Sequence, residues 1–199
     1  MARYTGPKDR LSRREGFDLF SKGAKLTRLA VPPGVHGPTR ARMPSQYGRQ
    51  LREKQKVKRI YGILEKQFRK YVESALKTRG NTGEKLLILL EKRLDNVIYR
   101  LGFVPTRPAA RQLVSHRHVL VNGKKVNIPS FEVSVGDVVG VSDKAAEIPA
   151  VKESLAEKDR KIPGWLERKA TLGKVIKEPS REDITEPISE QDIVEFYSR

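Results

Sequence analysis

Apolar residues recur at mostly helical spacing from Tyr47 onward: Leu51, Ile60, Tyr61, Leu64, Phe68, Tyr71, Val72, Ala75 and Leu76. Ser45 stands where a helix N-cap belongs, and no proline follows Pro44 until Pro105. The pattern predicts one long helix over roughly residues 46–78, ended by Gly80. Its first half is mostly charge (Arg49, Arg52, Lys54, Lys56, Lys58, Arg59) with almost no core-facing stripe. That half is expected to project from the body or to lie on a polyanion. A second helix follows, with Thr82 as its N-cap, through Leu90. Leu94, Val97, Ile98 and Leu101 then repeat at i, i+3, i+4 and i+7, with Gly102 in the place of a C-terminal glycine. Thr106 and Pro108 open another helix whose apolar face is Ala110, Leu113 and Val114.

The period then changes from helical to alternating. Val119-Leu120-Val121 runs into Asn122-Gly123, the strongest two-residue hairpin signal, and Val126 and Ile128 continue on the return strand. Val133 and Val135, then Val138–Val141 after Gly136-Asp137, predict two further short strands. Residues 144–163 are charged and mixed in sign, which predicts a linker or exposed helix. The tail carries Trp165-Leu166 and ends in Ile188, Ile193, Val194, Phe196 and Tyr197. Ser189 and Asp192 are spaced as a capping box for a last short amphipathic helix, and the N-terminal third is its expected host. The fold class is α+β. A mainly helical N-terminal domain, residues 1–90 completed by 164–199, joins a helix-helix-sheet module over 91–143. Before Pro44 the chain is broken by Gly6-Pro7, Gly16, Gly23, Pro32-Pro33-Gly34 and Gly37-Pro38, which permit only short turns of helix.

Charge changes the picture most. Across 199 residues, 41 Lys and Arg outnumber 24 Asp and Glu, a formal net charge of +17. Residues 1–59 hold +12 of it, residues 60–143 hold +6, and the remainder is −1. A compact chain loses stability to such self-repulsion unless a polyanion neutralises it, so nucleic acid is the first partner to expect. The absence of cysteine excludes disulfides, thiolate catalysis and cysteine-based zinc sites. His36, His116 and His118 lack metal-ligand spacing, and no cofactor is expected. The longest apolar run, Leu86 to Leu90, is far short of a membrane span. The N-terminus has no apolar signal core, so a cytoplasmic protein is expected, without a membrane partner and without self-association.

Gly80-Asn81-Thr82-Gly83-Glu84-Lys85 superficially suggests a phosphate loop, but Glu84 would repel phosphate and no strand feeds the turn. The same residues match a GXXG nucleic-acid loop, yet the strand that fold requires is missing. A turn between two helices is the better reading. Arg107 and Arg111 lie one helical turn apart and Ser115 extends their stripe. His116 and Arg117 follow, and Asn122, Lys124 and Lys125 sit at the hairpin. Such a polar edge suits phosphates and 2′-hydroxyls better than a base pocket.

These residues also carry a resemblance. Arg93-Leu94-Asp95-Asn96-Val97, Thr106 through His116, and Val121-Asn122-Gly123 resemble the RNA-binding module of the small-subunit ribosomal protein four family. Arg3 to Pro7, Leu11 to Gly16, Pro33 to Gly37, Gln50 to Lys56 and Ile193 to Arg199 extend the likeness along almost the whole chain, in the bacterial or organellar form. The resemblance implies a structural ribosomal protein and a primary binder of the 5′ domain of small-subunit ribosomal RNA, which nucleates assembly. It implies small-subunit protein five as a neighbour and a place near the messenger entry site, with an influence on translational accuracy. Its RNA-facing positions, carried over, are Arg93, Arg107, Arg111, Ser115, His116, Arg117, Asn122 and Lys124. Lys125, Arg13, Arg14, Arg49, Arg52 and Lys56 complete the candidate set, with Arg40 and Arg42 as candidates for the messenger side. Some relatives bind zinc through four N-terminal cysteines, and this chain has none. The location implied is the cytoplasmic small subunit, or an organelle's stroma or matrix. An RNA-modifying enzyme carrying the same module is the competing class, but the residues outside 91–143 are too basic and too punctuated for a catalytic domain.

Overall fold

The computed structural model describes residues 4–37, 44–157 and 161–198. It divides into two compact units: residues 1–83 with 187–199, and residues 84–186.

The first unit is helical. Its elements are α1 (Lys8–Glu15), α2 (Gln46–Ile60), α3 (Glu65–Lys77), the start of α4 (Thr82–Glu91) and α9 (Glu190–Tyr197). Ser45 caps α2 as expected, its Oγ accepting a hydrogen bond from the Gly48 N–H at 3.2 Å. The single helix expected over 46–78 is two helices. Gly62 takes φ = 63°, its N–H donates to the Arg59 carbonyl and the Ile63 N–H to the Lys58 carbonyl. That is a Schellman end, which a glycine in the left-handed region makes cheap. The break turns Phe68, Val72 and Ala75 of α3 into the core beside Val57, Ile60, Tyr61 and Ile63.

The first half of α2 does not project either. Gln50, Lys54 and Val57 are buried, and the helix packs on α1 and α9. The stripe was illegible because two of its members are polar. Gln50 donates to Glu195 at 2.7 Å, while Lys54 donates to Glu65 at 2.9 Å and lies 4.4 Å from the Phe196 ring centroid. At the start of α9 the Ser189 side chain makes no capping bond. The Ser189 N–H instead donates to Glu53 at 3.3 Å.

The second unit holds most of α4, then α5 (Leu94–Arg100), α6 (Arg107–Ser115), β1 (Val119–Val121), β2 (Lys124–Val126), β3 (Val138–Val141), α7 (Asp143–Ala146), α8 (Pro149–Ala156), β4 (Leu166–Lys169) and β5 (Leu172–Val175). Gly102 at φ = 75° ends α5, and Thr106 caps α6 through a bond from the Ala109 N–H. Asn122 and Gly123 both have positive φ, the requirement of a type I′ hairpin. Strand order is β2-β1-β3-β5-β4, antiparallel throughout. Val119, Val121, Val139, Val141, Leu166 and Val175 pack on α5 and α6 around Val97, Ile98, Leu101, Ala110 and Val114.

Three expectations change here. Residues 166–175 complete this sheet rather than the helical unit, because Trp165, Leu166 and Val175 join its core. Gly173 allows the close approach: a Cβ there would lie 2.5 Å from Leu101 Cδ1. Residues 143–156 form α7 and α8, which bury Ala145 and Val151 in the same core instead of linking domains. Val133 and Val135 form no strand before Gly136; Glu132 makes only an isolated bridge with Arg93. Residues 129–133 run past the start of α5, where the Pro129 and Phe131 carbonyls accept the orphan Asp95 and Leu94 N–H groups at 3.2 and 2.8 Å. Among the described residues no helix is long and apolar enough to cross a membrane.

Replacing Gly62 by alanine meets open space, so the change isolates backbone strain. Urea denaturation is expected to show a loss of about 1–2 kcal/mol, with an unchanged m-value.

Candidate nucleic-acid interface

The expected interface divides into cations that the fold consumes and cations that it presents. Arg93 belongs to the first group. It is 1% exposed and makes a two-pronged bond to buried Asp95, Nε–Oδ1 3.0 Å and Nη2–Oδ2 2.7 Å. Buried and paired in this way, Arg93 is not among the cations that the surface presents.

Arg107 is also spent inside. Its Nε donates to Asn96 Oδ1 at 2.9 Å, its Nη2 to Glu186 at 3.0 Å, and its guanidinium stacks 4.5 Å from the Tyr99 ring centroid. Asn96 Nδ2 donates to Glu91 at 2.8 Å, and Arg100 bridges Glu91 (2.8 Å) and Glu186 (2.9 Å). These five side chains close a ring: Glu91, Asn96, Arg107, Glu186, Arg100 and back to Glu91. Burial alone would raise the Glu186 carboxyl, but the two guanidiniums hold it down to about 2. Sequence reading missed this ring because Glu186 lies 79 residues from Arg107. Arg111 is half-buried one turn further on, and the Ser115 hydroxyl is turned back onto the Arg111 carbonyl at 2.8 Å. The Asn122 amide is spent too, donating to Asp137 at 2.8 Å and accepting from the Val138 N–H at 2.9 Å.

What the second unit presents is narrower. His116, Arg117, Lys124 and Lys125 are exposed, and no carboxylate among the described residues pairs with these cations. Arg117 and Lys124 stand at the two ends of β1, a three-residue strand about 10 Å long. Arg117 itself sits at φ = 63°. Its N–H donates to the Val114 carbonyl, and the His118 N–H to that of Leu113, so it fills the position at the end of α6 that glycine usually takes.

The helical unit shows the same division. Arg13 holds the Val31 and Pro32 carbonyls at 2.9 and 3.3 Å. Arg52 and Arg59 converge on Glu15, whose side chain is 1% exposed. Burial pushes the Glu15 carboxyl up, and the two guanidiniums offset this only in part. Lys56 bonds Glu53 and the Pro187 carbonyl and lies over the Phe17 ring. Only Arg14 and Arg49 of that candidate set face solvent. Arg40 and Arg42 lie outside the described residues. Among the described residues no group of three or more His, Asp or Glu side chains is placed to hold a metal ion.

Comparison with known proteins identifies the family. Residues 3–91 match the Ribosomal protein S4/S9 N-terminal domain, and residues 92–139 match the S4 domain. Proteins named small ribosomal subunit protein uS4 are similar over the whole of both chains. That of Desulfitobacterium hafniense is 54% identical over 208 aligned positions. Those of Citrifermentans bemidjiense and Geobacter sulfurreducens are 56% and 55% identical over 209. The chain belongs to the uS4 family. That is a family of structural ribosomal proteins, not of enzymes, and the S4 domain within it is an RNA-binding module. The domain match ends at Val139, whereas the sheet continues through β5, so this uS4-family chain builds two strands of its RNA-binding unit from sequence beyond the matched stretch.

The depressed Glu186 carboxyl makes a pH prediction. A folded-state value below the unfolded one gives stability that is present above about pH 4.5 and lost as pH falls toward 2. In Glu186→Gln, thermal unfolding is expected to show a stability at pH 7 lower by on the order of 3 kcal/mol. The variant's stability curve should also be flatter than wild type across that acid window.

Proposed function

We propose that this protein is a structural component of the small ribosomal subunit that binds the 5′ domain of its ribosomal RNA early and helps to nucleate assembly. The observation carrying the reading is the set of candidate cations that the fold leaves exposed: Arg117, Lys124 and Lys125 around β1, with His116 beside them, in one unit, and Arg14 and Arg49 in the other. These groups stand at the end of α6, on β2 and on the outer sides of α1 and α2, all exposed to solvent. They suit phosphates brought together by a folded RNA. The same reading gives the protein its place in the cytoplasm within the subunit, with small-subunit protein five as neighbour and messenger RNA near it, and through them an influence on accuracy.

Backbone strain supports the assignment of Arg117. An arginine in the left-handed region costs about 1–2 kcal/mol where glycine costs little, and such strain collects at functional positions. Arg117→Gly is therefore expected to raise unfolding stability while weakening RNA binding. Chemical denaturation and filter binding on the same preparation check both signs. Unchanged affinity removes Arg117 from the interface.

Electrostatic binding has its own signature. If about 6–10 phosphates are neutralised, affinity for a 5′-domain junction fragment falls by ~10³–10⁵ between 50 and 200 mM salt. Arg117→Ala with Lys124→Ala and Lys125→Ala should make that slope shallower by about three. A slope near zero for the wild-type protein, or equal affinity for unrelated duplexes, defeats the reading.

A further inference from the structure

Several of the helical unit's acids are taken up by its own cations. Glu15 takes Arg52 and Arg59, Glu53 takes Lys56, Glu65 takes Lys54 and Lys58, and Asp9 takes Lys22. The basic run on α2 that dominates the sequence is therefore largely neutralised by its own protein. α3, which holds none of the candidate site residues, is not. On α3, Phe68, Val72 and Ala75 face the core, and Lys66, Lys70 and Lys77 are exposed. At 3.6 residues per turn these lysines fall within about 40° of one another, on the ridge directly opposite the buried side chains. They span about 16 Å of a rigid helix. None has an acidic partner among the described residues. Glu73, the one carboxylate on that ridge, is held by Arg69 at 3.1 Å. Arg79 continues the positive run past the helix end, also exposed.

We propose that the outer face of α3 is a second phosphate-binding rail, which takes the sugar–phosphate backbone of a double-helical RNA segment. The proposal rests on the RNA-binding reading above and adds to it a contact surface and the kind of RNA that fits. A straight convex line of ammonium groups fits a rigid line of phosphates. Its exposed positions carry no aromatic ring for stacking single-stranded bases. Nor does it fit a protein partner, because lysine is depleted at protein interfaces and the ridge lacks an apolar anchor. Leu76, 49% exposed, lies well to one side of the line.

The test uses the full-length protein and a 5′-domain ribosomal RNA fragment. In Lys66→Ala/Lys70→Ala/Lys77→Ala, alanine keeps the helix, and an unchanged thermal midpoint and circular dichroism spectrum establish the fold. Affinity near physiological salt is expected to fall by roughly tenfold or more, and the salt slope to become shallower by two to three. Hydroxyl-radical footprinting should lose one protected duplex stretch and keep the others. A second variant, Lys144→Ala/Lys152→Ala/Lys177→Ala, removes the same charge from exposed positions elsewhere and should leave that footprint intact. Wild-type affinity and slope in the α3 variant overturn the rail, as does an equal loss in the second variant. Loss of protection only at single-stranded nucleotides, or unchanged RNA binding with loss of binding to an acidic ribosomal protein, overturns it as well. Failure of the wild-type protein to prefer the junction fragment defeats the parent reading along with it.

Discussion

The ring of Glu91, Asn96, Arg107, Glu186 and Arg100 is the constraint on which the RNA-binding unit depends. Two carboxylates and two guanidiniums are largely withdrawn from water, at a cost of several kcal/mol per ion before any pairing. The cost is offset because every charge meets its opposite and the amide joins the two halves with both of its polar atoms used. Removing one member leaves an uncompensated buried charge, a worse state than either the intact ring or an apolar replacement. The ring therefore fixes geometry more than it adds stability. It locks α5 to the start of α6 and ties both to Glu186 at the far end of the unit. Arg93 and Asp95 repeat the device at the other end of α5.

The same sorting explains how a chain of net charge +17 folds at all. In the helical unit Glu15, Glu53 and Glu65 each collect cations from α2, and Tyr197 donates to Glu65 at 2.8 Å, bringing the C-terminal helix into the cluster. Burial would raise the Glu65 carboxyl, but the bonds from Lys54, Lys58 and Tyr197 hold it down to about 2. Internal acids thus neutralise the arginines and lysines nearest the core, where repulsion would cost most at low effective dielectric. The surplus is displaced to convex surfaces where water and salt screen it.

Local backbone chemistry was legible in the sequence, and long-range pairing was not. Ser45, Thr106, Gly102 and Asn122-Gly123 act within a few residues of themselves, so their caps and turns followed from identity alone. The apolar spacing continues in register through Gly62, so only its positive φ reveals two helices. The buried stripe of α2 escaped because Gln50 and Lys54 are polar and become core residues only through Glu195 and Glu65. Leu166 to Val175 did not read as strands because outward Glu167, Lys169 and Lys174 dilute the alternation, and because the partner of β5 is β3, about 35 residues away. For the site, exposure decided everything. Arg93, Arg107 and Arg117 are alike in sequence, and only acids brought in by the fold separate the first two from the third.

That separation bears on how recognition works. An interface built from phosphate contacts carries little information in any one contact, so specificity must come from the spacing among them. Spacing is informative only if the cations stand on elements that do not move. Arg117 and Lys124 are set at the ends of one short strand, and α6, which delivers Arg117, is held at its other end by the Arg107–Glu186 bond. On the proposed reading, a bond inside the unit thereby controls where surface charge meets RNA. Stability of the ring and discrimination between folded RNAs become one property. A change in Glu186 or Asn96 would act on binding through the positions of Arg117 and Lys124, with the number of phosphate contacts, and hence the salt slope, left nearly as it was.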